Sequence, residues 1–195
     1  DLDSQVQNSL NQVENIMGQV FGNAENPLLV SIRSGARQSM PGMMETILNV
    51  GLTSKTIPGL IEKYSDEHFV FDAYRRLISM YADVVMEKAA GIVPNEGDGI
   101  REKLDKTMEL MKNRHNVKAN GHLPINNLID LCDIYKSTIK ETLKSEFPDD
   151  PNVQLWGAIT AVFKSWNGER AKSYRKIERM LFVLLRHVQV ATGYY

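Results

Sequence analysis

The sequence predicts a mainly α-helical protein of the α+β class. Beyond Gly51, apolar residues recur at the three- and four-residue spacing of a buried helix face. One short run, residues 28–33, is the best candidate for a β-strand because it is apolar and follows a turn cluster rich in Gly, Asn and Pro. Polar loops separate the helical segments, which is typical of a small bundle of antiparallel helices.

The apolar stripes locate the helices. One stripe occupies residues 1–17 and ends at Gly18, and a longer one occupies residues 66–86, with Ser79 and Asp83 on its polar face. Asp150 followed by Pro151 predicts another helix start, because Asp accepts bonds from free amides and Pro fits the first turn. Two further helices carry these stripes: Ile100, Leu104, Met108 and Met111, then Leu128, Cys132, Tyr135, Ile139 and Leu143.

Composition narrows the class of protein. Lys and Arg number 23 against 24 Asp and Glu, a net charge of −1, which disfavours a nucleic-acid or membrane partner. One cysteine, Cys132, indicates a reducing compartment, the cytoplasm or a reducing organelle. No charged-then-apolar leader opens the chain, and a first residue of Asp1 suggests a piece of a longer protein.

Residues 31–51, SIRSGARQSMPGMMETILNVG, are not explained by core packing or helix periodicity. Arg33 and Arg37 flank a Ser-Gly-Ala step, where Gly35 lets the backbone pass close to a bulky anion. A second small-residue turn follows at residues 40–44. A strand that delivers guanidinium groups to such a turn is typical of phosphate binding. For Arg37 an ion pair is an equal alternative, and the methionines 40, 43 and 44 are equally explained as core gap-fillers.

This segment resembles the pyruvate, phosphate dikinase family, within its amino-terminal nucleotide-binding region of ATP-grasp type. The likeness extends in order from about residue 6 to 179. It includes the motifs ENPLLV at residues 25–30, FDAYRR at residues 71–76 and AVFKSWN at residues 161–167. An ordered match of several segments is far more specific than one short pattern.

The resemblance implies an enzyme that converts ATP, phosphate and pyruvate to AMP, pyrophosphate and phosphoenolpyruvate, and back. It implies Mg²⁺, a phosphohistidine on a swivelling domain, a pyruvate-binding barrel and a homodimeric parent. By the same resemblance, Arg33 and Arg37 contact nucleotide phosphates, and Met44 belongs to the loop over the nucleotide. Ser34, Gly35, Gly42 and Arg76 are further candidates. For Arg76 the simpler interpretation is a surface ion pair with Asp72 on the same helix.

The resemblance also implies what this chain lacks. The family's Gly-rich loop and ATP-binding lysine precede it, and the Mg²⁺-binding acidic pair follows it. We therefore expect no catalytic residue, no metal site and no complete ATP site in this piece, which should be inactive alone. The phosphohistidine motif is absent, so His68, His115, His122 and His187 are interpreted as surface or loop residues.

These expectations define three regions. Residues 1–55 form part of an ATP-grasp subdomain, residues 56–148 an inserted helical subdomain, and residues 149–195 helices that return to the first, with a divergent tail from residue 180. The alternative function is a non-catalytic helical module that binds a protein partner on the dikinase scaffold. A dikinase acting on water or a glucan is a further alternative, although the Met-Pro-Gly-Met-Met turn favours the pyruvate family.

Overall fold

The protein, seen in a computed structural model that describes residues 1–35, 44–177 and 188–191, is mainly helical with a small sheet. This confirms the α+β, mainly α class. The helices are α1 (Leu2–Met17), α2 (Ile57–Tyr64), α3 (Glu67–Tyr81), α4 (Ile100–His115), α5 (Ile125–Leu143), α6 (Pro151–Ser165) and α7 (Glu169–Ile177). The strands are β1 (Val20–Phe21), β2 (Pro27–Leu28), β3 (Val30–Ser34), β4 (Thr46–Val50) and β5 (Val188–Ala191). A π-helix (Ala82–Lys88) continues α3, and a 3₁₀-helix (Asn120–His122) precedes α5.

The predicted strand over residues 28–33 is present, but it is divided. Pro27–Leu28 pairs in parallel with β1, whereas Val30–Ser34 is the centre of a three-stranded sheet in the order β4-β3-β5. Both neighbours of β3 are antiparallel to it. Strand β5 comes from the divergent tail. The apolar run at residues 181–185 lies outside the described residues.

The predicted helix ends are confirmed by their caps. Asp1 accepts a bond from the amide of Ser4 at 2.9 Å, and Gly18 ends α1 with a φ of 63°, a left-handed conformation that suits glycine. Asp150 accepts a bond from the amide of Val153 at 2.9 Å, directly before Pro151. Local sequence therefore determines where these two helices begin.

The prediction that Ser79 and Asp83 lie on an exposed face is wrong, since they are only 8% and 5% exposed. Helix α3 packs against α2, α5 and β4, so it is covered on more than one side. Asp83 lies in the π-helix, which packs against α4, α5 and α6. Its carboxylate is compensated by Lys88 at 3.0 Å and by Arg101 at 3.6 Å.

The core joins the helices to the inner face of the sheet. Helices α3, α4 and α5 pack on one another, and α6 packs against β3 and β4. The two predicted stripes of α4 and α5 are buried as expected apart from the partly buried Leu143, and Cys132 lies within the second of them. Among the described residues, no helix is long and apolar enough to cross a membrane.

The burial of one thiol and of several tyrosine hydroxyls predicts that the protein loses stability at alkaline pH. Burial raises the pKa of the Cys132 thiol to about 12, and it also raises the pKa of the Tyr81 and Tyr135 hydroxyls to about 12. The unfolded chain would release these protons near pKa values of 9.0 and 10.0. The stabilisation is therefore complete below pH 9, and it is lost as the pH rises from about 9 to 12.

Urea midpoints measured at intervals between pH 8 and 11.5 test this expectation. We expect the midpoint to fall through this range, and to fall less steeply in Tyr81→Phe, which lacks the phenol. Tyr64→Phe, at a tyrosine that is 49% exposed, is the matched control and should keep the wild-type slope. A midpoint that does not change with pH would contradict the assignment.

Candidate functional site

Arg33 lies on the central strand of the sheet. It is opposite Thr46 of β4 and Gln189 of β5, so the backbone on both sides of it is paired. Its neighbour Ile32 is fully buried in the core, whereas Arg33 is exposed. Because side chains alternate along a strand, the core fixes Ile32 on one face and Arg33 is presented on the other.

The other candidates in this segment gather at one end of the β3–β4 pair. Ser34 ends β3, Gly35 follows it, and Met44 precedes the start of β4 at Thr46. The antiparallel pairing therefore brings Ser34, Gly35 and Met44 to the same end of the sheet as Arg33. Arg37 and Gly42, together with the methionines at positions 40 and 43, lie outside the described residues.

Met44 and Glu45 are attached to the end of α6. Met44 is partly buried and packs against the core, with its Sδ atom 3.8 Å from the Ser165 hydroxyl oxygen. The amide of Glu45 donates to the same hydroxyl oxygen at 3.3 Å. The side chain of Met44 therefore has a packing role, as the gap-filler interpretation expects. The bond from the neighbouring Glu45 amide holds the backbone at the start of β4.

A cleft of about 380 Å³ opens beside Glu45, between the π-helix, the end of α6 and the start of α7. Its charged lining consists of three basic and two acidic side chains: Lys88, Lys164, Arg170, Glu45 and Glu169. Several of these charges already have partners. Lys164 donates to the carbonyl of Ala89 at 2.7 Å, and Glu169 pairs with Lys172 at 2.8 Å. Lys88 is also paired, with Asp83 at 3.0 Å and Glu45 at 3.8 Å, so the lining charges by themselves select neither an anion nor a cation.

Arg76 interacts with its own helix rather than with this end of the sheet. It is on α3, where its side chain is 56% exposed and pairs with Asp72 at 2.9 Å, one helical turn away. Arg75 pairs with the same carboxylate at 2.7 Å. Within the described part of the chain, Arg76 therefore has the surface ion pair that helix spacing predicts.

Sequence reasoning missed Ser165 and Lys88. Ser165 bonds Glu45 across 120 positions of the chain, and Lys88 lies 3.8 Å from the Glu45 carboxylate. Helix periodicity carries no information about such pairs. The only available signal was the motif at residues 161–167, which contains Ser165.

The histidines and acidic residues do not form a metal centre in the ranges that the structure describes, where no cluster of three or more potential His, Cys, Asp or Glu ligands occurs. His68 is engaged instead with the backbone of the α4–α5 connection, since its Nε2 atom lies 2.8 Å from the carbonyl of Leu123.

Comparison with known proteins identifies the family. The family model described as "Pyruvate phosphate dikinase, AMP/ATP-binding domain" matches residues 1–186. The chain is 40% identical over 178 residues to the pyruvate, phosphate dikinase of Clostridium symbiosum, covering 91% of this chain and 19% of that protein. It is 42% identical over 172 residues to the enzyme of Entamoeba histolytica, covering 88% of this chain and 18% of the relative.

A plant relative gives the same result. The chain is 41% identical over 171 residues to the chloroplastic pyruvate, phosphate dikinase 1 of Arabidopsis thaliana, covering 88% of this chain and 16% of that protein. The chain thus spans about a fifth of the length of the curated relatives it matches or less, and nothing in these matches favours the alternative of a protein-binding module. With the family model matching nearly its whole length, the chain belongs to the pyruvate phosphate dikinase family, in the AMP/ATP-binding domain.

Proposed function

We propose that this chain is the part of a pyruvate, phosphate dikinase that holds the phosphates of ATP. The full enzyme would interconvert ATP, phosphate and pyruvate with AMP, pyrophosphate and phosphoenolpyruvate through a phosphohistidine outside this chain. The observation that carries the proposal is the placement of Arg33. It is exposed on the central strand, at the end of the sheet where Met44 leads into β4. The family match supports a nucleotide as the ligand.

Arg33 would bind two phosphate oxygens with its planar guanidinium group. Such a paired interaction needs a fixed approach direction, which a strand paired on both sides provides. Ser34 and Gly35 would let the backbone approach the phosphates closely. The remaining residues on this side of the phosphate-binding site would be Arg37, Gly42 and Met44. Arg76 is the candidate with least support, because Asp72 already occupies it.

The remaining parts of the reaction would come from outside this chain. The described residues offer no cluster of carboxylates for Mg²⁺, so we assign no metal-dependent step to them. We propose that residues 1–55 and 149–195 belong to one ATP-grasp subdomain and residues 56–148 to a helical insertion. The partners would be the phosphohistidine domain and the pyruvate-binding barrel of the same protein, in a homodimer.

Removing Arg33 tests the proposal. In the full-length protein that carries this chain, Arg33→Ala is expected to weaken ATP binding about 10- to 100-fold, the effect of losing hydrogen bonds to a charged group. Arg33→Lys keeps the charge but not the paired geometry, so it should fall between the alanine variant and the wild type. Isothermal titration with ATP measures both affinities.

Arg114→Ala is the matched control. Arg114 is an exposed arginine in the last turn of α4, so its removal changes the net charge equally without touching the sheet. Circular dichroism confirms that each variant is folded. An Arg33→Ala protein that folds and binds ATP with wild-type affinity would rule out the proposed role.

A further inference from the structure

We infer that Ser165 is a positioning residue for nucleotide binding, which fixes Met44 and Glu45 at the entry to β4. This inference rests on the proposed function, because it assigns Ser165 an effect on ATP through Met44 and the neighbouring Arg33. Ser165 itself lies at the end of α6, and it need not touch the nucleotide.

The hydroxyl of Ser165 bonds both to its own helix and to the segment that enters β4. It donates its proton to the carbonyl of Val162 at 2.7 Å, and this bond orients its lone pairs. The oxygen then accepts the amide of Glu45 at 3.3 Å and lies 3.8 Å from Met44 Sδ. A hydroxyl has one proton to donate and two lone pairs that can accept. The Ser165 side chain can therefore bond a carbonyl at the end of α6 and, at the same time, the amide of the residue that leads into β4.

Helix α6 is packed closely against the sheet, so it can support the strand that Ser165 holds. It packs against both β3 and β4, and its inner face is buried, with Ala158, Ile159 and Val162 at most 1% exposed. About three turns before Ser165 on the same helix, Gln154 binds the amide of Gly51 at 3.0 Å. Ser165 and Gln154 therefore hold β4 at its two ends, Glu45 and Gly51.

The residue that Ser165 holds is adjacent to the strand partner of Arg33. Thr46, the residue after Glu45, is the partner of Arg33 in the sheet. A displacement of Glu45 would therefore move both Met44 and the strand that flanks Arg33. Lys88 provides a second, weaker restraint on Glu45, since their charged groups are 3.8 Å apart and both side chains are substantially exposed.

Three variants of the full-length protein test the inference. Ser165→Ala is expected to weaken ATP binding, and to raise the KM for ATP, about three- to tenfold, the range of one lost hydrogen bond. Ser165→Thr keeps the hydroxyl and should restore affinity to within twofold of wild type. The KM for pyruvate should stay unchanged in both variants, whereas a general loss of structure would alter the KM values for both ATP and pyruvate.

Ser137→Ala is the matched control. Ser137 also donates to a carbonyl of its own helix, that of Asp133 at 3.0 Å, but it lies on the exposed side of α5. Its removal should change neither KM. A folded Ser165→Ala protein with wild-type affinity for ATP, while Arg33→Ala weakens binding, would overturn the inference and leave the proposed function standing. Unchanged binding in Arg33→Ala would instead remove the proposed function itself.

Hydrogen exchange provides a measurement that does not depend on the alanine variant folding. The amide of Glu45 should exchange slowly in the wild type and in Ser165→Thr, because it donates to the hydroxyl of residue 165. Exchange mass spectrometry on a peptide that includes residue 45 reports this protection. Fast exchange of that amide in the folded wild-type protein would overturn the inference.

Discussion

Replacing Gln154 by leucine is expected to lower the free energy of unfolding by about 3–5 kcal/mol. The side chain of Gln154 is fully buried, and its amide uses both of its functional atoms. Oε1 accepts from the amide of Gly51 at 3.0 Å, while Nε2 donates to the carbonyls of Leu52 at 3.0 Å and Pro148 at 2.9 Å. Leucine fills a similar volume but leaves three backbone groups without this partner in the interior.

The comparison with Gln7→Leu separates this effect from the change in residue type. Gln7 is an exposed glutamine on α1 whose side chain, within the described ranges, bonds to Asn11 of its own helix, so its replacement should change stability by less than about 0.5 kcal/mol. Urea unfolding followed by circular dichroism measures both changes. If Gln154→Leu is as stable as Gln7→Leu, the three bonds do not contribute as we argue.

The helix ends could be predicted from sequence because their causes are local. Asp1 and Gly18 act within one turn of α1, and Asp150 with Pro151 does so for α6. The exposure of Asp83 could not be predicted in the same way. Its burial depends on the helices that pack around this segment, and on Lys88 and Arg101, which compensate its charge.

Strand β4 was missed because its burial pattern does not alternate. Ile47 and Val50 are both fully buried, although they are three residues apart, a spacing typical of a helix. The cause is a shift in register against β3 between Val30 and Ile32, together with a left-handed φ of 58° at Asn49. An irregularity that depends on strand pairing leaves no periodic signal.

The candidate site divides in the same way. Arg33 could be proposed from the sequence, since an arginine beside a Ser-Gly-Ala step has few structural explanations. Ser165 could not, because its importance lies in a contact with Glu45 that only the folded chain creates. The sequence thus predicts the group that would meet the ligand, whereas the structure adds the contact between Ser165 and Glu45 beside it.

Gly59→Ala is expected to destabilise the protein by about 1–3 kcal/mol or more, although the same change favours an isolated helix. Gly59 is buried in α2, where a Cβ atom would overlap the carbonyl oxygen of Ala24 and would lie 2.7 Å from that of Glu25. Both obstacles are backbone atoms, so a side-chain rotation cannot relieve the overlap. Helix α2 would have to move away from the turn that leads into β2.

Gly121→Ala is the matched control, because a Cβ atom at Gly121 meets nothing within 4 Å. That replacement should be neutral or stabilise the protein by up to about 1 kcal/mol, since it restricts the unfolded chain. Thermal unfolding of both variants gives the two changes directly. Only Gly59→Ala should lower the melting temperature. If it instead leaves the melting temperature unchanged or raises it, α2 does not pack closely on the backbone of residues 24–25.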